Sequence, residues 1–65
     1  MQIIVNANPC DVQAATLAEA LSELGYAPTG IATAVNGEFV PQMARADRHL
    51  LTGDRVEVLA PMQGG

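Results

Sequence analysis

Thr16-Leu17-Ala18-Glu19-Ala20-Leu21-Ser22-Glu23-Leu24-Gly25 holds a helix start, a buried stripe and a helix stop in one run. Thr16 followed three residues later by Glu19 has the form of a capping box, in which the Thr16 hydroxyl accepts from the Glu19 amide and the Glu19 carboxylate accepts from the Thr16 amide. Leu17, Ala20, Leu21 and Leu24 fall at i, i+3, i+4 and i+7, a single apolar stripe, whereas Ala18, Glu19, Ser22 and Glu23 lie mostly on the solvent side. Gly25 supplies the left-handed residue that ends a helix. One amphipathic helix needs a second layer to bury its stripe, so the flanking segments decide the fold.

Toward the N-terminus, Gln2 to Val5 reads as a strand, and its unbroken Ile3-Ile4-Val5 predicts an interior position covered on both faces or nearly so. Asn6-Ala7-Asn8-Pro9 is a cluster of turn formers, after which Cys10 to Gln13 pairs back as a shorter strand with Cys10 and Val12 on one face. Beyond the helix, Tyr26 to Gly30 is a connection and Ile31 to Val35 alternates larger and smaller residues as a half-buried strand does. Asn36-Gly37 suits the two positive φ angles of a type I′ turn, so Glu38-Phe39-Val40 returns antiparallel until Pro41 ends the strand. Ala44 to Arg48 suggests a short helical turn, Leu50-Leu51 drops back onto the core, and Thr52-Gly53-Asp54 turns the chain. Arg55 to Ala60 closes the domain as a strand with Val56 and Val58 on one face and Glu57 and Leu59 on the other.

Two strands, a helix and three further strands give an α+β plan, a mixed sheet with the helix across one face, which is the β-grasp arrangement. If the first and last strands lie parallel and adjacent, the elements between them form the long crossover that parallel pairing demands. The whole of residues 1–65 is then one domain, with 61–65 a flexible tail.

A chain of 65 residues buries only about 60% of its unfolded surface, which leaves no room for a deep catalytic cleft. Hydrophobic residues at 49% against 15% charged argue for a folded globule. The net charge of -4, with no lysine, excludes the basic stripe that nucleic acid requires and favours a basic protein surface as partner. One cysteine rules out an internal disulfide and, with one histidine, leaves a Cys/His zinc site short of ligands, so no metal is expected. Met1 to Val5 lacks the features of a signal peptide and no stretch approaches a membrane span, so the chain is expected in the cytoplasm.

The tail Pro61-Met62-Gln63-Gly64-Gly65 has a different logic. Two glycines cannot pack, and folding gains nothing from them there. Without Cβ atoms they can thread a channel too narrow for other residues and bring the Gly65 carboxylate to a reactive centre inside a partner, which makes Gly65 a substrate. Roughly 0.5% of chains would end in Gly-Gly by chance, so the pair gains meaning only from the domain behind it.

Ala34-Val35-Asn36-Gly37-Glu38-Phe39-Val40-Pro41, then Leu50 to Leu59 and the terminal Gly64-Gly65, closely resemble the sulfur carriers of thiamin biosynthesis, the ThiS family. Thr16 to Gly25 looks like that family's helix, which runs from Thr-Leu through a further leucine to Leu-Gly, so the resemblance spans almost the whole chain. It implies that Gly65 is adenylated with ATP and magnesium by an E1-like enzyme of the ThiF kind, converted to a thiocarboxylate with sulfur from a donor such as a cysteine desulfurase, and drained by a thiazole synthase of the ThiG kind. Gly64 and Gln63 would occupy the partner's channel, and the chain would bind no cofactor and catalyse nothing itself. Many family members carry a basic residue where this chain has Gln42 and an aromatic where it has Arg45, which puts a partner contact of that loop in question. The small subunit of molybdopterin synthase and the ubiquitin-like sulfur carriers share the fold and tail but are normally longer. A noncovalent β-grasp interaction module is the rival from another class.

Because a short tail buries little area, the partner must also grip the domain, and Leu59, Met62 and Phe39 are the expected docking residues. Cys10 has no basic neighbour in sequence to favour its thiolate and reads as a small buried hydrophobe; His49 reads as a surface residue. A [2Fe-2S] centre is excluded, since it needs four protein ligands.

Overall fold

The computed structural model describes residues 1–60. Its elements run β1 (Gln2–Val5), β2 (Asn8–Asp11), α1 (Leu17–Glu23), β3 (Ala32–Val35), β4 (Glu38–Val40), a 3₁₀ helix (Gln42–Asp47) and β5 (Arg55–Leu59). The five strands form one sheet in the order β2-β1-β5-β3-β4. β1 and β5 pair in parallel through Ile4↔Arg55 and Val5↔Val56, and every other neighbouring pair is antiparallel. This is the expected mixed sheet, with β5 at its centre.

Local sequence explains the helix. Thr16 and Glu19 form the reciprocal capping box, the Glu19 amide donating to the Thr16 hydroxyl at 3.3 Å and the Thr16 amide donating to the Glu19 carboxylate at 3.2 Å. Gly25, at φ +88, ends it in a Schellman arrangement: the Gly25 amide donates to Ser22 and the Tyr26 amide to Leu21, at 3.1 and 2.9 Å. Leu17, Ala20 and Leu21 are buried against Ile3, Val5, Val12, Val35, Val40, Leu50, Val56 and Val58, and each buried leucine contributes about 1.5–3 kcal/mol. Leu24, expected on the stripe, is the exposed C-cap, because the left-handed turn at Gly25 ends the helix before its side chain reaches the sheet.

Several expectations change in the folded chain. β2 starts at Asn8, not Cys10, because the turn is confined to Asn6 and Ala7, at φ 48 and 70. Pro9 is tolerated because β2 is an edge strand. β1 is interior but covered on one face only: Ile3 and Val5 are buried while Ile4 is half-buried on the open side. Leu50 joins the core, whereas Leu51 is exposed. Glu23 is not merely solvated, since its carboxylate accepts from the Gln13 and Ala14 amides at 3.0–3.1 Å and ties the β2–α1 connection to the helix. Cys10 is half-buried against the core, and the His49 side chain is exposed.

Arg45 departs furthest from its expected place in a partner-facing loop. It is buried, and its guanidinium donates to the Thr33 hydroxyl at 3.1 Å and to the carbonyls of Pro28 and Ile31 at 3.1 and 2.8 Å. Thr33, also buried, passes its own hydroxyl proton toward the Val40 carbonyl at 2.9 Å. The 3₁₀ helix, the α1–β3 connection and the β3–β4 hairpin are thereby joined through one cation. Asp54 does the same for the turns that start β5. Its carboxylate accepts from the Leu51 amide at 2.8 Å and the Asn36 side-chain amide at 3.0 Å, and these bonds hold its pKa below the ordinary 3.8.

Candidate functional site

Side chains alternate along a strand, so the core residues fix by parity what faces away from α1. Val56 and Val58 of β5 are buried, which places Arg55, Glu57 and Leu59 on the open face. In the observed register Ala34 stands beside Phe39 on one side and Glu57 on the other, and Ala32 stands beside Leu59. Phe39 and Leu59, 66% and 69% exposed, therefore flank β3 on the same face, with only the methyl groups of Ala32 and Ala34 between them. Two strand spacings across the sheet and two residues along it put them diagonally about 12 Å apart, a separation that leaves a shallow apolar trough. Glu57 is the acid beside it, in the Ala34 row.

Two of the expected docking residues, Phe39 and Leu59, are thus brought together. Met62, Gln63, Gly64 and Gly65 lie outside the described residues. They follow Ala60, the residue after β5, so the trough adjoins the strand from which the tail continues.

What roots that strand was not apparent from sequence. The backbone ladder between β1 and β5 ends at Val5↔Val56, because Asn6 turns away at φ 48. Its side chain takes over the next rung: Oδ1 accepts from the Val58 amide at 2.8 Å and Nδ2 donates to the Val58 carbonyl at 3.2 Å. The Asn6 amide itself donates to Val56 at 2.9 Å. Asn6 reads in sequence as a turn former and nothing more. The extra signal is its chemistry, a left-handed-tolerant residue whose amide offers a donor and an acceptor together.

Other candidate chemistry is dispersed. Among the described residues no group of three or more His, Cys, Asp and Glu could hold a metal ion, and no helix is long and apolar enough to cross a membrane. The Cys10 thiol lies 3.7 Å from the Asn8 carbonyl, and His49 reaches the rest of the fold through its backbone bridge with Thr16. A cavity of about 250 Å³ between α1 and the 3₁₀ helix, lined by Leu21, Tyr26, Pro28 and Arg45 among others, opens on the helix side of the sheet.

A mixed five-stranded sheet with one helix across it and a parallel pair at its centre defines a β-grasp domain of the ubiquitin-like class. Known proteins agree. The ThiS family profile matches residues 3–65. The sulfur carrier protein ThiS of Thermus thermophilus is 41% identical over 61 residues, covering 94% of this chain and 95% of its own. The crystal structure of the thiamine biosynthesis protein ThiS from Geobacter metallireducens superposes with a TM-score of 0.83 at 33% identity, covering both chains fully. A solution structure from that organism gives 0.79 at 33% identity, covering 100% of this chain and 88% of the other. The chain belongs to the ThiS family, the ubiquitin-like sulfur carriers of thiamin biosynthesis.

Proposed function

We propose that this carrier holds its sulfur on the α-carboxylate of Gly65. The observation that supports it is the family match, which runs through the β5 root to Gly65 itself. In the first step a Gly65 carboxylate oxygen attacks the α-phosphorus of ATP in an E1-like enzyme of the ThiF kind, releasing pyrophosphate and leaving a mixed anhydride with AMP. Magnesium and the enzyme neutralise the phosphates; the carrier contributes no acid or base. The acyl carbon is now electrophilic. Hydrosulfide displaces AMP from it to give the thiocarboxylate directly. The terminal sulfur of a persulfide, formed on a donor such as a cysteine desulfurase, displaces AMP to give an acyl disulfide, which a thiol cleaves to the thiocarboxylate and a mixed disulfide. The soft nucleophile so formed delivers sulfur to a thiazole synthase of the ThiG kind, in the cytoplasm where ATP is supplied.

Recognition divides between tail and sheet. Gly64 and Gln63 thread the channel, the trough of Phe39, Leu59, Ala32 and Ala34 receives an apolar side chain from the adenylating enzyme, and Met62 adds a further docking contact. Glu57 beside it favours a cationic group on the partner rim. Deleting Gly65 leaves Gly64 with an equally good carboxylate set back by about 3.5 Å. Misplacement of about 1 Å can cost a hundredfold in rate. ATP–pyrophosphate exchange with a matching adenylating enzyme should therefore be lost in a protein that melts like the parent. Parent-level exchange by the deletion variant would refute the assignment of Gly65.

A further inference from the structure

We infer that Asn6 is a positioning residue for the reactive terminus: its side-chain amide stands in for the missing next residues of β1 and fixes the direction in which β5 releases the tail. The inference rests on the Gly65 chemistry proposed above. Had β1 continued, its next backbone carbonyl and amide would bond to Val58. Instead the chain turns, and Oδ1 and Nδ2 of Asn6 meet the Val58 amide and carbonyl at 2.8 and 3.2 Å, across 52 residues of sequence. On its other side Val58 pairs with Thr33, and Leu59 with Ala32. Val58 is therefore held from both flanks, and only Leu59 and Ala60 separate it from residues 61–65.

Without the amide, the strand root keeps β3 as its one neighbour and can swing away from the vacated flank. A shift of the root changes where the chain enters the partner's channel, and near-attack geometry tolerates little displacement. The docking trough, made by β3, β4 and β5 side chains, does not include Asn6. The signature of the role is thus a loss in turnover at unchanged docking. Asparagine suits the position twice. It tolerates φ 48, and it presents acceptor and donor together; aspartate would turn a carboxylate oxygen on the Val58 carbonyl.

Asn6→Gly keeps the turn and removes the amide. Three readouts are taken on parent and variant: amide hydrogen exchange at Val58, kcat and KM for carrier in ATP–pyrophosphate exchange, and the melting temperature. Val12→Ala, a truncation of a buried core residue beside β2, serves as the control for lost stability. The expected result is Val58 exchange about tenfold faster or more, and kcat about tenfold lower with KM for carrier within about twofold, while Val12→Ala keeps the parent kcat below its melting range. A parent-level kcat in Asn6→Gly, a loss no larger than that of Val12→Ala, a loss confined to KM, or unchanged protection of Val58 would each overturn the inference. A parent that itself supports no exchange would instead sink the Gly65 chemistry, and the inference for the reaction with it; the Val58 exchange rate would then separate that failure from failure of the anchor.

Discussion

Replacing Arg45 should cost this domain a large share of its stability. Arg45→Ala removes three charge-assisted hydrogen bonds, to the Thr33 hydroxyl and to the Pro28 and Ile31 carbonyls. Bonds to a charged donor are worth about 1.5–3 kcal/mol each. The two carbonyls are only partly buried, so water can replace much of what they lose. The buried Thr33 hydroxyl retains its bond to Val40. Lost packing of the arginine stem acts in the same direction. Against the offsetting relief of a buried cation, which has no carboxylate within bonding distance among the described residues, a net loss of about 3 kcal/mol is expected. A domain of 65 residues has about 3–10 kcal/mol in total, and about 3 kcal/mol lowers its melting temperature by about 12–24 °C. Arg45→Lys should recover little, since one ammonium cannot reach the three acceptors that the planar fork spans. Thermal melts followed by circular dichroism, with urea midpoints as a check, measure both variants. A melting temperature within about 4 °C of the parent for Arg45→Ala, or full recovery by Arg45→Lys, would refute the structural role of this cation.

Ala7→Gly should stabilise the chain by about 1 kcal/mol, because Ala7 holds φ 70 with a Cβ in the left-handed region; an unchanged or lower urea midpoint would contradict that geometry. The depressed pKa of Asp54 makes stability fall in acid: the folded carboxylate binds its proton below 3.8, so the unfolded chain holds more protons in that window and stability drops as pH falls through it. Glu19, held below 4.5 by the Ala15 and Thr16 amides, acts in the same sense. Urea midpoints should be flat from about pH 7 to 5 and fall below, with a shallower acid limb in Asp54→Asn. Leu59→Arg, at a position 69% exposed, should leave the melt within about 0.5 kcal/mol of the parent. It should also weaken the complex with the adenylating enzyme about tenfold or more, and undiminished affinity would move the docking surface elsewhere.

The two hairpin turns show why legibility varies along this chain. Asn36-Gly37 and Asn6-Ala7 adopt nearly the same backbone, φ 52 and 83 against 48 and 70. Glycine announces the first turn, whereas alanine hides the second and with it the start of β2 at Asn8. Thr16 to Gly25 was readable because cap, stripe and stop lie within one helix length. The partners of Arg45 lie 12 to 17 residues away and that of Asn6 lies 52 away, so neither role has a local signature. Phe39 and Leu59 were separately recognisable as unburied apolar residues. Their common face depends on the pairing of Ala34 with Phe39 and of Ala32 with Leu59, a register that no single strand contains.

The central claim is that the Gly65 carboxylate becomes a thiocarboxylate. Incubating the protein with a matching E1-like enzyme, ATP, magnesium and sulfide, and then measuring its intact mass, tests this most directly. The mass should rise by the difference between one sulfur and one oxygen, with fragmentation placing the change on Gly65, and it should not rise without ATP. An unchanged mass under conditions in which that enzyme converts its own carrier, or a gain located on Cys10, would contradict it.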